Sequence, residues 1–365
     1  MKTRRKLILE DGTEYTGYSF GSPGEKLLEL VFNTSMVGYQ EIISDPSYTD
    51  QAVVMTYPII GNYGINADDN ETYVPSIGAL IVRDYNDEPS NFRCISTLSD
   101  HMEKYDIAGL YGIDTRALTR KIREYGSCKA FITGAGEENV PEDKYPDKQN
   151  LRTDQVKRVS TGKIREYKCE PGRERFHVVA VDCGIKHNII RSLNSFGCRV
   201  TLVPYDTDID TVESYHPDGI FLSNGPGDPT DVPETIDLVR KLHGRYPIFG
   251  ICLGHQILAL SYGARTYKLK FGHRGGNHPV KDLKSGRVDI TSQNHSYAVD
   301  DKSMEGTGLI ATHLNLLDNT IEGIEHESDP SFGIQYHPES APGPEDSIYL
   351  FERFIGLMSG GKDNA

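Results

Sequence analysis

The segment Gly250-Ile251-Cys252-Leu253-Gly254-His255-Gln256 constrains the fold more than any other part of the chain. An apolar run, Pro247 to Ile251, ends in Gly-x-Cys-x-Gly, and a helical pattern from Gly254 to Tyr262 begins at once. A strand that turns directly into a helix leaves little room for Cβ atoms two residues either side of its tip, so glycine is needed there. The cysteine then stands at a helix N-terminus, where the backbone dipole favours thiolate, the nucleophilic form. The bland alternative is a structural cysteine that happens to lie between glycines. Strand and helix patterns on both flanks argue against it.

That turn sits in a longer rhythm. Phe176 to Val181, Arg199 to Val203 and Gly219 to Leu222 read as apolar strands. Between them, Ile185, Ile189, Leu193 and Phe196 recur at helical spacing, and Ile236, Val239 and Leu242 share a face of a helix from Pro233. Apolar strands alternating with helices predict an α/β domain with a doubly wound, mostly parallel sheet over residues 176–365. Residues 1–136 read differently, as a separate mixed, strand-rich domain. Asp11-Gly12 lies between two alternating runs and predicts a hairpin, and Leu27 to Phe32 and Ala52 to Thr56 predict further strands. Asp114 is a candidate N-cap and Gly126 a candidate stop for one helix. Residues 137–175 are polar and punctuated by proline and glycine, and predict a connector with one short helix.

Length and charge agree with this division. A chain of 365 residues predicts about two domains. Its 39 basic and 53 acidic residues give a net charge of −14, which argues against binding a nucleic-acid backbone. No apolar run approaches the ~18 residues of a membrane helix. Only Leu7-Ile8-Leu9 follow the basic start before Glu10, so no signal peptide is expected. The six cysteines lack metal-type pairing and predict reduced, mostly buried thiols in a cytoplasmic protein.

A thiolate nucleophile needs a proton carrier and oxyanion donors. Gln335-Tyr336-His337-Pro338-Glu339 follows the apolar Phe332-Gly333-Ile334, so His337 is expected at a strand end, where ligands gather in open α/β sheets. Glu339, two residues on, lies on the same side of an extended segment and can orient the imidazole. Ser223-Asn224-Gly225-Pro226-Gly227-Asp228-Pro229 follows another strand, and its glycines let a substrate approach the backbone. Its spacing does not match a phosphate-binding loop. Oxyanion donors are expected from the amide of Leu253 and from this loop. His273, His278 and His295 match no zinc signature, so no metal site is expected.

Taken together, FGICLGHQ, SNGPGDP and YHPE resemble class I, triad-type glutamine amidotransferases. Phe271-Gly272-His273-Arg274-Gly275-Gly276-Asn277-His278-Pro279-Val280 and Gln293-Asn294-His295 resemble one family among them, the small, glutamine-hydrolysing subunits of carbamoyl phosphate synthetase. So do Val31 to Met36, Gly38 to Glu41, Asp45-Pro46-Ser47-Tyr48 and Ile113 to Arg116. The resemblance implies hydrolysis of L-glutamine to glutamate and ammonia by Cys252, His337 and Glu339 through a γ-glutamyl thioester. It implies glutamine contacts at Ser47, Gly225, Gly227, Leu253, Gln256, Asn294, Ser296 and Tyr297. With Ser47 among them, it implies a pocket partly at the domain interface. One position departs from the family pattern: Asn-His-Gly-Phe is replaced by Asn294-His295-Ser296-Tyr297. If that backbone needs positive φ, Ser296 is strained there.

The resemblance also implies a partner, a large subunit that makes carbamoyl phosphate from bicarbonate and ATP for arginine and pyrimidine biosynthesis. No cofactor is expected in this chain, with ATP and Mg on the partner. Free ammonia is largely protonated near neutral pH and then is no nucleophile, so direct transfer to an acceptor site makes chemical sense. A heterodimer is expected, its higher assembly open. Three other readings stand beside this one. They are a free-standing cysteine amidase, a scaffold subunit with an inert site, and the amidotransferase of another synthetase.

Overall fold

A computed structural model describes residues 2–360 apart from 138, 341, 342 and 345. Residue 138 of the expected connector and residues 361–365 therefore lie outside the described residues. The chain divides into two compact units, Met1–Thr153 and Asp154–Ala365, the division falling within the stretch read as a connector.

The first unit is built on a closed barrel of seven strands. Around the barrel they run Arg4–Leu9, Glu14–Gly21, Ala108–Tyr111, Ala79–Val82, Gln51–Met55, Lys26–Asn33 and Cys128–Ile132, the last pairing back onto the first. Parallel and antiparallel pairings both occur. The Asp11-Gly12 hairpin forms as expected, with Leu7 opposite Tyr15 and Gly12 at φ 81. Asp114 caps the helix Thr115–Tyr125 by accepting from the amide of Ala117 at 2.9 Å, and Leu118 and Ile122 on its inner face are buried. An apolar cluster gathers Phe20, Tyr39, Tyr48, Ile65, Leu98 and Met102.

The second unit is a ten-stranded sheet. Five neighbouring strands, Cys198–Pro204, Phe176–Asp182, Gly219–Leu222, Ile248–Ile251 and Ser331–Ile334, are mutually parallel. Their residues alternate between two cores. Val179, Val181, Ile220 and Leu222 pack with helices Pro233–Leu242 and Leu253–Ser261. Val178, Ala180, Phe221 and Phe249 pack with helices His187–Ser195 and Tyr349–Met358. Strands covered on both faces have no polar side, which is why they read as continuous apolar runs.

The expectation of a mostly parallel sheet is corrected: the sheet is mixed. Ile321–His326, Leu309–Asn315, Thr266–Asp282 and Val288–Val299 extend it by antiparallel pairings. Short connections join these strands, and only a crossover long enough to hold a helix can make neighbours parallel. The opposite edge is Arg165–Tyr167, antiparallel to Cys198–Pro204 and drawn from the expected connector. The connector also supplies the short helix Gln155–Val159. All six cysteines are free, but only Cys183, Cys198 and Cys252 are buried, fewer than expected.

Candidate active site

The parallel strands are in register, with Leu222 beside Gly250 and Ile251 beside Ile334. Their C-terminal ends therefore lie together, where open α/β sheets hold ligands. Four loops leave from there: Cys183 to Lys186, Ser223 to Gly227, the turn at Cys252, and Gln335 to Glu339.

Cys252 adopts φ 54 and ψ −104, a conformation that costs a residue with a Cβ about 1–3 kcal/mol. The surroundings enforce it. The Cys252 amide donates to the Ile334 carbonyl at 2.8 Å, and its own carbonyl accepts the first helical bond, from Gln256, at 3.2 Å. The flanking glycines are required as the sequence suggested. A Cβ on Gly250 would sit 2.5 Å from the Gly254 oxygen, and one on Gly254 only 2.2 Å from the Leu222 oxygen. Gly254→Ala is accordingly expected to destabilise the second unit by about 3 kcal/mol or more, because the clash is with backbone that cannot rotate away. Urea unfolding of the variant measures this, and an unchanged midpoint would contradict the geometry.

The Cys252 thiol is buried and donates to the Asn294 carbonyl at 3.6 Å. The Gln335 side chain donates to the sulfur, also at 3.6 Å. A chain of amides fixes that orientation. The Tyr297 carbonyl can only accept, so the Gln256 Nε2 that faces it at 2.8 Å is the donor end. The same Nε2 meets Gln335 at 2.8 Å, which makes the Gln335 atom there an oxygen and turns its N–H groups toward sulfur. Gln335 was not anticipated, although it adjoins the motif that contains His337.

His337 is buried, and its Nδ1 lies 2.8 Å from Glu339 Oε1. Lys186, itself buried, places its ammonium 3.3 Å from that nitrogen and 3.4 Å from the same carboxylate oxygen. Its backbone is held by Asn224, whose Oδ1 accepts from the Lys186 amide at 3.1 Å. Burial and the Lys186 ammonium both oppose protonation of His337. Glu339 and Cys252 outweigh them and push the imidazole from 6.5 up to about 10. Burial would raise Glu339, but His337 and Lys186 bring its carboxyl from 4.5 down to about 2. The arrangement thus favours an imidazolium beside a carboxylate. His337 Nε2 is buried without a hydrogen bond among the described residues, which leaves it available to a reacting group. Lys186 was also missed, since a lysine after a strand reads as a solvated loop residue.

The remaining expected contacts fall as follows. Leu253 is the first residue of the helix after Cys252. Gly225 packs so closely that a Cβ would lie 2.2 Å from the Cys183 oxygen, and Gly227 adopts φ 88. Asn294, Ser296 and Tyr297 lie on the strand Val288–Val299. Ser296 is not among the residues with positive φ, so the feared strain does not arise. Its hydroxyl accepts from Arg274. Ser47 belongs to the first unit, in the turn Pro46–Tyr48, where Asp45 accepts from its amide at 2.9 Å. The structure thus gathers Cys252, His337, Glu339, Gln256 and Asn294 within the second unit, and Ser47 is described within its own unit.

Two family models match the chain. One is described as glutamine amidotransferase class-I and matches residues 179–357. The other is described as carbamoyl-phosphate synthase small chain, CPSase domain, and matches residues 7–132. The chain is 50% identical over 364 residues to the carbamoyl phosphate synthase small chain of Staphylococcus epidermidis, covering 100% of this chain and 98% of that one. It is 51% identical over 359 residues to the small chain of Oceanobacillus iheyensis, covering 98% and 97%. It is 52% identical over 355 residues to that of Bacillus cereus, covering 97% and 96%.

Proposed function

The chain belongs to the carbamoyl-phosphate synthase small chain family, and on that premise we propose that it hydrolyses L-glutamine through Cys252, His337 and Glu339 and hands ammonia to a large chain. The observation that carries the assignment of residues is the strained turn at Cys252 beside the buried His337–Glu339 pair, both at ends of adjacent parallel strands.

The thiolate of Cys252 attacks the side-chain carboxamide carbon of glutamine. Charge develops on the former carbonyl oxygen, and the amides of Leu253 and Gly225 are the donors for it. The carbon–nitrogen bond breaks as imidazolium His337 gives its proton to the departing nitrogen, and ammonia leaves. A γ-glutamyl thioester remains. Neutral His337 then takes a proton from water, the oxygen attacks the thioester, and glutamate and the thiolate are released. Glu339 holds Nδ1 throughout, so Nε2 does the proton transfer. The Gln335 N–H directed at sulfur stabilises the leaving thiolate when the thioester breaks. Ser47, Gln256, Asn294, Ser296 and Tyr297 are proposed as glutamine contacts, with Gly225, Gly227 and Leu253 supplying backbone.

The partner is a large chain that consumes ATP and bicarbonate, the pair working as a heterodimer in the cytoplasm. Among the described residues no helix is long and apolar enough to cross a membrane. A direct test uses radiolabelled glutamine and acid quench. Label is expected on Cys252 as an alkali-labile thioester in the wild type and absent from Cys252→Ala. Label that persists in Cys252→Ala would contradict the assignment.

A further inference from the structure

Along the chain the histidines of the glycine-rich stretch match no metal signature, but across the sheet they converge. His273 and His295 sit opposite each other on neighbouring antiparallel strands, and Glu322 comes from a third, Ile321–His326. All three are buried, and one ligand atom from each lies within 4.8 Å of the others. We infer that His273, His295 and Glu322 form a buried site for a divalent transition-metal ion of the zinc class.

The orientation of each group supports this. His273 is held from behind, its Nε2 against Asp318 Oδ2 at 2.9 Å, which aims Nδ1 at Glu322 Oε1, 3.5 Å away. His295 is held likewise, its Nδ1 donating to the Tyr297 carbonyl at 2.8 Å, which turns Nε2 to within 4.0 Å of the same oxygen. A carboxylate or carbonyl behind each imidazole is the usual support of a metal-binding histidine. Glu322 is fully buried. Its Oε1 accepts from Asn315 at 3.0 Å, yet Oε2 has no partner among the described residues. A buried carboxylate oxygen without a hydrogen bond is costly, and a metal ion at this point would satisfy it. His278 stands nearby, its ring 5.3 Å from that of His273 and its Nδ1 buried without a partner among the described residues, but it lies outside the three-residue cluster.

Zinc with N and O ligands at about 2.0–2.1 Å sets tetrahedral ligands roughly 3.4 Å apart, so separations of up to 4.8 Å have to contract by up to about 1.4 Å. The competitor is a proton. Burial opposes protonation of His273, but Asp318 and Glu322 hold it up to about 9, so a metal ion has to displace that proton. Gln293 Oε1, 3.0 Å from His295 Nε2, has to give way as well. The site is not the catalytic centre, though it borders it: His295 follows Asn294, whose carbonyl meets the Cys252 thiol.

The test is zinc binding by the full chain with Cys252 alkylated, so that the nucleophile cannot supply a ligand. The protein is stripped with a chelator, dialysed against buffered Zn²⁺ and analysed for bound metal. One zinc ion per chain is expected. Glu322→Gln and His273→Ala are each expected to weaken binding at least ~100-fold, and Asp318→Asn by about 10–100-fold, since it only supports a ligand. Asp318 is half-exposed, so that variant keeps the test decisive if the buried ones do not fold. Absence of zinc from the alkylated wild type overturns the inference, as does undiminished binding by the folded variants.

Discussion

Cys252→Ser is expected to lower glutamine-dependent carbamoyl phosphate synthesis by the assembled synthase at least ~10⁴-fold and to leave synthesis from added ammonia unchanged. The substitution exchanges sulfur for oxygen and keeps the side-chain shape, so the strained turn, its bond to the Ile334 carbonyl and the Gly254 contact with strand Gly219–Leu222 all persist. What changes is the nucleophile itself. Sulfur attacks a carbonyl carbon and leaves a thioester far more readily than an alcohol oxygen does the equivalent steps. The Gln335 N–H and the Asn294 carbonyl are also spaced for sulfur, each at 3.6 Å, and a shorter C–O bond draws the oxygen away from both. Ammonia enters downstream of this step, so its use by the partner does not depend on Cys252. Loss of both activities in a folded, assembled variant would remove the assignment of this cysteine as the source of ammonia.

The turn at Cys252 was legible because its signal is local: two glycines at fixed offsets from Cys252, flanked by a continuous apolar run and a pattern of period 3.6. His337 and Glu339 were legible for the same reason, two residues apart beside an apolar strand. Lys186 was not, because its meaning depends on Glu339, far along the chain and on a different strand end, and no local pattern links the two. The antiparallel half of the sheet was hidden by composition. Thr266–Asp282 contains Gly272, Gly275, Gly276 and Pro279, residues that weaken strand propensity. Gly272 and Gly276 fall where its register with Val288–Val299 shifts, between Lys268 and His273 and between Gly275 and His278. The same irregular ribbon brings His273 opposite His295, a proximity that spacing along the chain does not encode. Closure of the first unit into a barrel was equally invisible, since it rests on parallel pairings such as Leu30 with Ala52.

Glu339→Gln separates orientation from charge at the other half of the catalytic pair. The amide keeps the size of the carboxylate but supplies no negative charge, so His337 loses the interaction that raises it and the Lys186 ammonium loses the counter-charge that lies 3.4 Å away. Glutamine turnover is expected to fall about 10⁴-fold, the size of loss expected when the orienting carboxylate of a triad becomes an amide. Stability is expected to fall by about 3–5 kcal/mol, because removing one partner of a buried ion pair leaves the other charge poorly compensated. The double variant Lys186→Met, Glu339→Gln removes that charge too and is expected to recover much of the stability but none of the turnover. The pH dependence has a definite sign. His337 is raised in the folded state, so its contribution is complete below 6.5 and fades as pH climbs toward about 10. Glu339 is lowered, so its contribution is complete above 4.5 and fades as pH drops toward about 2. The stability gap between wild type and Glu339→Gln is therefore expected to be widest between pH 4.5 and 6.5 and to narrow on either side. Urea unfolding across that range reads it directly, and a gap that stays constant with pH would show that Glu339 acts by shape alone.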